Sequence, residues 1–190
     1  MGRPSVRGKL VDAACETLQA QGFNGCSIQD ITDAAGVPKG SFFNHFKSKE
    51  LLALEALDMY AANNRIDLLH EEGKTPLQRL RQHFEFMAQR FVGWGHTRGC
   101  LLGNFGAEMS DTHPAMREAL ASVFETWSAR VAGVLSEAQV LGQVDPRHDA
   151  QALGRFVVNA WEGALIRAKV LKSRAPLDDF FEVCFKILLK

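Results

Sequence analysis

The sequence predicts an all-α chain, and three observations predict it. Apolar residues recur at helical spacing, as in Val6, Leu10, Ala14 and Leu18 on one face. Short breaks rich in Gly, Pro, Asp and Ser separate the periodic stretches: "EEGKTP", "GWGHTRG", "SDTHP", "LGQVDPRHD" and "KSRAP". No stretch reads as a strand. The expectation is about nine helices, short ones first and longer ones after Asn64.

The first helix begins near Val6 and ends at Gly22, a residue suited to a left-handed stop. Ser27 opens the second. In "SIQD" an acid stands three residues after a Ser N-cap, the capping-box pattern. Its buried face would be Ile28, Ile31 and Ala35, with Gly36 as terminator. Pro38 pre-sets the first turn of a short third helix, and Ser48 caps a fourth that begins "KELLALEALDMYAANN". Five further helices follow, at about Pro76–Val92, Cys100–Ser110, Pro114–Val140, Asp149–Leu171 and Leu177–Leu189.

A length of 190 residues fits one domain, or a small module fused to a medium one. The expected junction lies at residue 50, giving segments 1–50 and 51–190, while the texture changes after Asn64. Twenty-two basic residues against 22 acidic ones exert no global pull toward a polyanion, so any basic patch must be local. No apolar run reaches membrane-spanning length, and "MGRPSVRGKL" lacks a signal-peptide core, which predicts a cytoplasmic protein. Cys15, Cys26, Cys100 and Cys184 lie far from one another without a CxxC pair, so neither a zinc site nor a disulfide framework is expected. The histidines His70, His83, His96 and His113 sit on separate elements, and no metal or cofactor is expected.

Two short helices joined by a tight Gly-containing turn, in "SIQDITDAAGVPKGSFFNHFKSKELL", form a helix-turn-helix unit, whose second helix enters a DNA major groove. Pro38, Lys39, Gly40 and Ser41 form its leading end, where backbone amides point outward and Gly40 permits close approach. Ser41 and Asn44 can bond bases or phosphates, while Phe42 and Phe46 would pack inward. Lys49 places a cation in the first turn of a helix, against the macrodipole, a conflict that a phosphate would resolve.

Ser27, Ile31, Ala35, Gly36, Val37, Pro38, Gly40, Phe42, His45, Phe46, Lys49, Glu50 and Leu51 fit a pattern that resembles the DNA-binding module of the TetR family of bacterial repressors. The resemblance covers about Val6–Leu52. It implies base or backbone contacts from Gln29, Lys39, Gly40, Ser41 and Asn44, and phosphate contacts from Ser27, His45 and Lys49. Two residues depart from it. Phe43 stands where the family has tyrosine, so a hydroxyl-to-phosphate bond is missing, and Thr32 replaces a small alanine.

One such module reads few base pairs, so a homodimer on a palindromic double-stranded operator is expected. The last two long helices carry wide apolar faces, and Gly154 and Gly163 would allow close helix approach. The resemblance places the dimer bundle there. The middle helices would hold a pocket for a small effector, with Trp94, Phe105, Trp127 and Trp161 as candidate lining. Cys100 follows Arg98 and Gly99 at a helix start, a setting that favours a reactive thiolate, and the segment looks like one in family members that sense electrophiles or small unsaturated acids. Lys169 extends the stripe Val158, Trp161, Leu165 as a possible companion. Two other classes compete. A helical interaction adaptor would bind without salt-dependent phosphate contacts. An enzyme using Cys100 with His96 or His113 lacks any orienting carboxylate or oxyanion hole in the sequence.

Overall fold

A computed structural model describes residues 5–189. In chain order the helices are α1 (Val6–Gly25), α2 (Ile28–Ala34), α3 (Gly40–Phe43), α4 (Lys49–Ala62), α5 (Pro76–Gly93), α6 (Leu101–Met109), α7 (Pro114–Val140), α8 (Ala150–Leu171) and α9 (Ala175–Val183). A 3-10 turn covers Ile66–His70, and a π-helical turn, Cys184–Leu188, closes the chain. Among the described residues there is no strand, so the all-α expectation is borne out. None of these helices is long and apolar enough to cross a membrane.

The chain divides into two compact units. One comprises the residues up to Asn63 together with Cys100–Ala121; the other comprises Asn64–Gly99 and the residues from Ser122 onward. The first of these boundaries falls where the helical texture changes, at Asn64, rather than at residue 50, because α4 and α6 both pack on α1.

In the first unit, Ser5 caps α1 by accepting the Gly8 N–H, and the helix breaks at Gly22 (φ 79°, ψ 174°). The positive φ favours glycine there, and a Cβ would also displace the carboxylate of Glu108. Leu10, Leu18, Ile31, Phe42, Leu52, Leu57 and Phe105 are fully buried and form the core of this unit.

In the second unit, Thr75 and Gln78 form a capping box at the head of α5. Phe84 centres an aromatic core, with ring centroids 6.1 Å from Trp127, 5.2 Å from Trp161 and 5.1 Å from Phe180. The 3-10 turn had no counterpart in the sequence reading. Arg65 precedes it in the left-handed conformation (φ 51°). The last helix also differs from the expected Leu177–Leu189: it starts at Ala175, and past Val183 the backbone loosens into the π turn. Lys172, at φ 50°, terminates α8.

Gly154 packs against α7 of its own subunit, where a Cβ would lie 2.6 Å from the Ser128 carbonyl oxygen. The expected close approach at Gly154 is therefore intramolecular. Gly163 has open space where its Cβ would be. It shares an exposed α8 face with Phe156, Ile166 and Val170, which are 53%, 58% and 75% exposed. Val183 and Ile187, one turn apart near the C-terminus, are exposed as well.

Candidate nucleic-acid interface and effector-linked residues

The α2–α3 segment is held by local bonds that its sequence specifies. The Ser27 hydroxyl accepts the Asp30 N–H (3.1 Å), and the Asp30 carboxylate accepts the Ser27 N–H (2.7 Å). The bonds from the Ser27 side chain and backbone hold the Asp30 carboxyl below its ordinary range. Past α2, the Val37 N–H reaches the Thr32 carbonyl (3.0 Å) while Gly36 takes φ 64°, a helix stop that only glycine adopts without strain. Thr32 is buried, and its hydroxyl donates to the Gln29 carbonyl (3.0 Å), which satisfies the polar atom that alanine would lack.

The Ser41 N–H bonds to the Pro38 carbonyl and the Phe42 N–H to the Lys39 carbonyl, so the turn into α3 starts at Pro38, where a missing N–H costs nothing. Phe42 and Phe46 point inward as expected, at 0% and 4% exposure, with ring centroids 5.9 Å apart. Phe43 is 60% exposed. Ser27, Gln29, Pro38, Lys39, Gly40, Asn44 and His45 are also exposed, and Ser41 is half-buried. Gln29 donates to Asp33 (2.7 Å) along the surface of α2. A Cβ at Gly40 would meet nothing within 4 Å, so the fold itself does not require glycine there.

Lys49 corrects the sequence argument. Its ammonium turns away from the positive end of α4 and donates to the carbonyls of Phe23 and Cys26, at 2.8 Å each. It also lies 4.0 Å from the centre of the Phe23 ring. The conflict with the macrodipole is settled by the trailing carbonyls of α1, and the dipole argument no longer calls for a phosphate.

The effector candidates fall into both units. In the first, Cys100 is the N-cap residue of α6, buried, with the Tyr60 hydroxyl 3.5 Å from its sulfur. Phe105 is fully buried against the edge of Phe23. Asn104 and Glu108, each one turn further along α6, bond the Gln19 carbonyl (3.2 Å) and the Asn24 N–H (2.7 Å). Helix α6 thereby grips the end of α1 that leads into α2.

In the second unit, Trp94 lies under the guanidinium groups of Arg90 and Arg98, 4.7 and 5.4 Å from its ring centre. Trp127 and Trp161 are buried in the aromatic core, and Lys169 is half-buried in the last turn of α8. The sequence reading missed the partner of Trp127. Its indole N–H donates to His83 Nε2 (3.0 Å), while His83 Nδ1 faces the Arg65 carbonyl (3.3 Å), so the proton of the neutral ring sits on Nδ1. Burial pulls His83 down to about 4. The run Leu80, His83, Phe84, Met87 was the available signal, since it places the imidazole on the buried face of α5. Burial also raises the Cys26 thiol and pushes Cys184 up to about 11. Among the described residues, no three His, Cys, Asp or Glu side chains converge as metal ligands do.

A capped short helix, a glycine turn and a second short helix with an exposed polar face define a helix-turn-helix DNA-binding regulator. The comparisons with known proteins are specific about which kind. Residues 10–56 match the model described as "Bacterial regulatory proteins, tetR family", and residues 76–184 match "Tetracyclin repressor-like, C-terminal domain". The chain is 34% identical to the HTH-type transcriptional repressor DhaR of Mycobacterium sp. (strain GP1), over 100% of this chain and 95% of that one. It is 37% identical to the transcriptional regulator AcuR of Cereibacter sphaeroides, over 90% and 80% of the two chains. A crystal structure of a regulatory protein TetR from Rhodobacter sphaeroides superposes with a TM-score of 0.86 at 35% identity, covering 91% and 93%. The chain belongs to the TetR family and is a DNA-binding transcriptional regulator.

Proposed function

We propose that the protein is a repressor that binds a palindromic operator as a homodimer and leaves it when a small effector binds or Cys100 is modified. In this reading residues 1–50 read DNA, and residues 51–190 bind the effector and form the dimer. The single observation that carries operator binding is the α3 surface. Lys39, Gly40, Asn44 and His45 stand exposed on it, and Gly40 leaves a backbone opening that none of the described residues fills. Gln29, Pro38 and Ser41 flank that surface, and Ser27 and Phe43 complete it at the backbone. Lys49 keeps its place in the module by holding the end of α1.

The exposed apolar stripe on α8, continued by Val183 and Ile187, supports dimerisation through the C-terminal helices, since patches of this kind are seldom left in water. Cys100 supports the sensing half. It occupies the N-cap position of α6 with its sulfur buried, and α6 bonds the α1 end beside the helix-turn-helix, so the bulk of an adduct on the sulfur would disturb that grip. Trp94, Phe105, Trp127, Trp161 and Lys169 are the remaining candidates for a non-covalent effector. The printed names of the relatives, a repressor and a regulator, accord with this reading.

The test is fluorescence anisotropy of the reduced protein on DNA from upstream of its own gene, before and after a mild thiol-reactive electrophile. Release of the wild type but not of Cys100→Ser is the expected result. Binding that ignores the electrophile would assign release to a non-covalent ligand, and no salt-dependent binding at all would reject the operator reading.

A further inference from the structure

Within the first unit, the head of α4 and the head of α7 enclose an open cavity of about 280 Å³. Its walls are apolar: Leu51, Leu54, Pro114, Ala115 and Met116. Leu51 is 46% exposed, a large apolar side chain that the fold leaves in water. One end is polar. There Glu50 Oε1 lies 3.5 Å from His113 Nε2, beyond good hydrogen-bond length, and half of the Glu50 side chain is exposed (51%). His113 is fixed by Thr112 at Nδ1 (2.8 Å) and by edge contact with the Phe23 ring (5.2 Å). Among the described residues, no lysine or arginine lines the cavity.

We propose that this cavity binds a small apolar amine, with its chain on Leu51, Leu54 and Met116 and its ammonium on Glu50. Charge decides the class. A carboxylate ligand would meet Glu50 with only His113 to offset it, whereas an ammonium completes the carboxylate with a charge-assisted bond. The positive helix ends at the cavity weigh the other way, at about half a charge each. At α4 Glu50 already sits in the first turn against that half charge, and at α7 Pro114 removes one of the first-turn N–H groups, leaving those of Ala115 and Met116. The walls supply the rest, since each methylene withdrawn from water strengthens binding. The occupant would brace the first turn of α4, which Ser48 caps through the Leu51 N–H (3.3 Å), against α7 in the unit that also carries α3. This site is separate from Cys100 and from the proposed operator contacts, and its test contains no DNA.

Amide ¹H–¹⁵N spectra of the full chain should be titrated with hexylamine, 1-hexanol and hexanoate at about pH 8. Hexylamine is expected to give saturable shifts confined to Ser48–Leu54 and Thr112–Met116, with the alcohol about tenfold weaker. Glu50→Gln should bring the amine down to the level of the alcohol. Ala115→Trp, at an exposed position, should fill the cavity and remove binding of both while the remaining spectrum is kept. Hexanoate binding as tightly as the amine, shifts centred elsewhere, or an amine affinity unchanged in Glu50→Gln would each overturn the proposal.

Discussion

The Lys49 ammonium donates to the Phe23 carbonyl at 2.8 Å and at the same time lies 4.0 Å from the centre of the Phe23 ring. One side chain thus ties the start of α4 to the trailing end of α1, and a second bond to the Cys26 carbonyl reaches the residue before Ser27.

Loss of Lys49 is therefore expected to act on stability. A bond from a charged donor contributes about 1.5–3 kcal/mol, and Lys49→Ala should lower stability by about 2 kcal/mol in thermal or urea denaturation. The dependence of operator affinity on salt should keep its slope. A slope flatter by about one unit would instead show that Lys49 neutralises a phosphate.

Gly40→Ala separates folding from binding. The open space around Gly40 predicts an unchanged or higher melting temperature, because alanine is the better helix former by about 1 kcal/mol. Operator affinity should fall if, as proposed, the backbone at Gly40 meets DNA. Unchanged affinity in an anisotropy titration would place the DNA elsewhere.

His83 makes stability depend on acid. In the fold its imidazole stays neutral down to about pH 4, whereas the unfolded chain takes up the proton near 6.5. Between those values the unfolded state binds more protons, so the contribution of this residue is fully present above 6.5 and is lost as pH falls toward 4. The difference corresponds to about 3 kcal/mol. Urea denaturation at about pH 7 and about pH 4.5 should show a smaller loss in His83→Gln than in the wild type. Equal losses would mean that His83 takes up its proton in the fold as readily as in the unfolded chain, despite the loss of the Nε2 acceptor for Trp127.

The two glycines of α8 should respond in opposite ways. Gly154→Ala drives a methyl into the Ser128 carbonyl and Ala132 of α7, and is expected to cost about 1–3 kcal/mol of subunit stability. Gly163→Lys adds bulk and charge to an exposed face, so it should leave helicity intact while shifting the protein toward monomer in sedimentation equilibrium. A Gly163→Lys dimer as tight as the wild type would exclude this face of α8 from the interface.

The elements that were legible in sequence are those whose information is local. The Ser27–Asp30 capping box, the Gly36 stop, Pro38 at the start of the next turn, and the inward pair Phe42 and Phe46 depend on residues within a few positions of one another. Short-range bonds of this kind follow from spacing alone. Nine helices and the DNA-reading module could be written down on that basis, and the family comparisons agree with them.

Tertiary structure decided the choices that depend on residues far away in the chain. Lys49 found carbonyls 26 and 23 positions back, Glu108 reached Asn24 across 84 positions, and Trp127 met His83 across 44. A lysine in a first turn or a histidine on a buried face states only that a partner is needed, because a charge or a polar atom withdrawn from water must be satisfied by something. Which atom satisfies it is set by how the helices pack. By itself, the sequence determined which segments are helical and which face of each is apolar; packing alone decided that α6 grips the end of α1, that Gly154 serves α7 within its own subunit, and that Gly163 stays open.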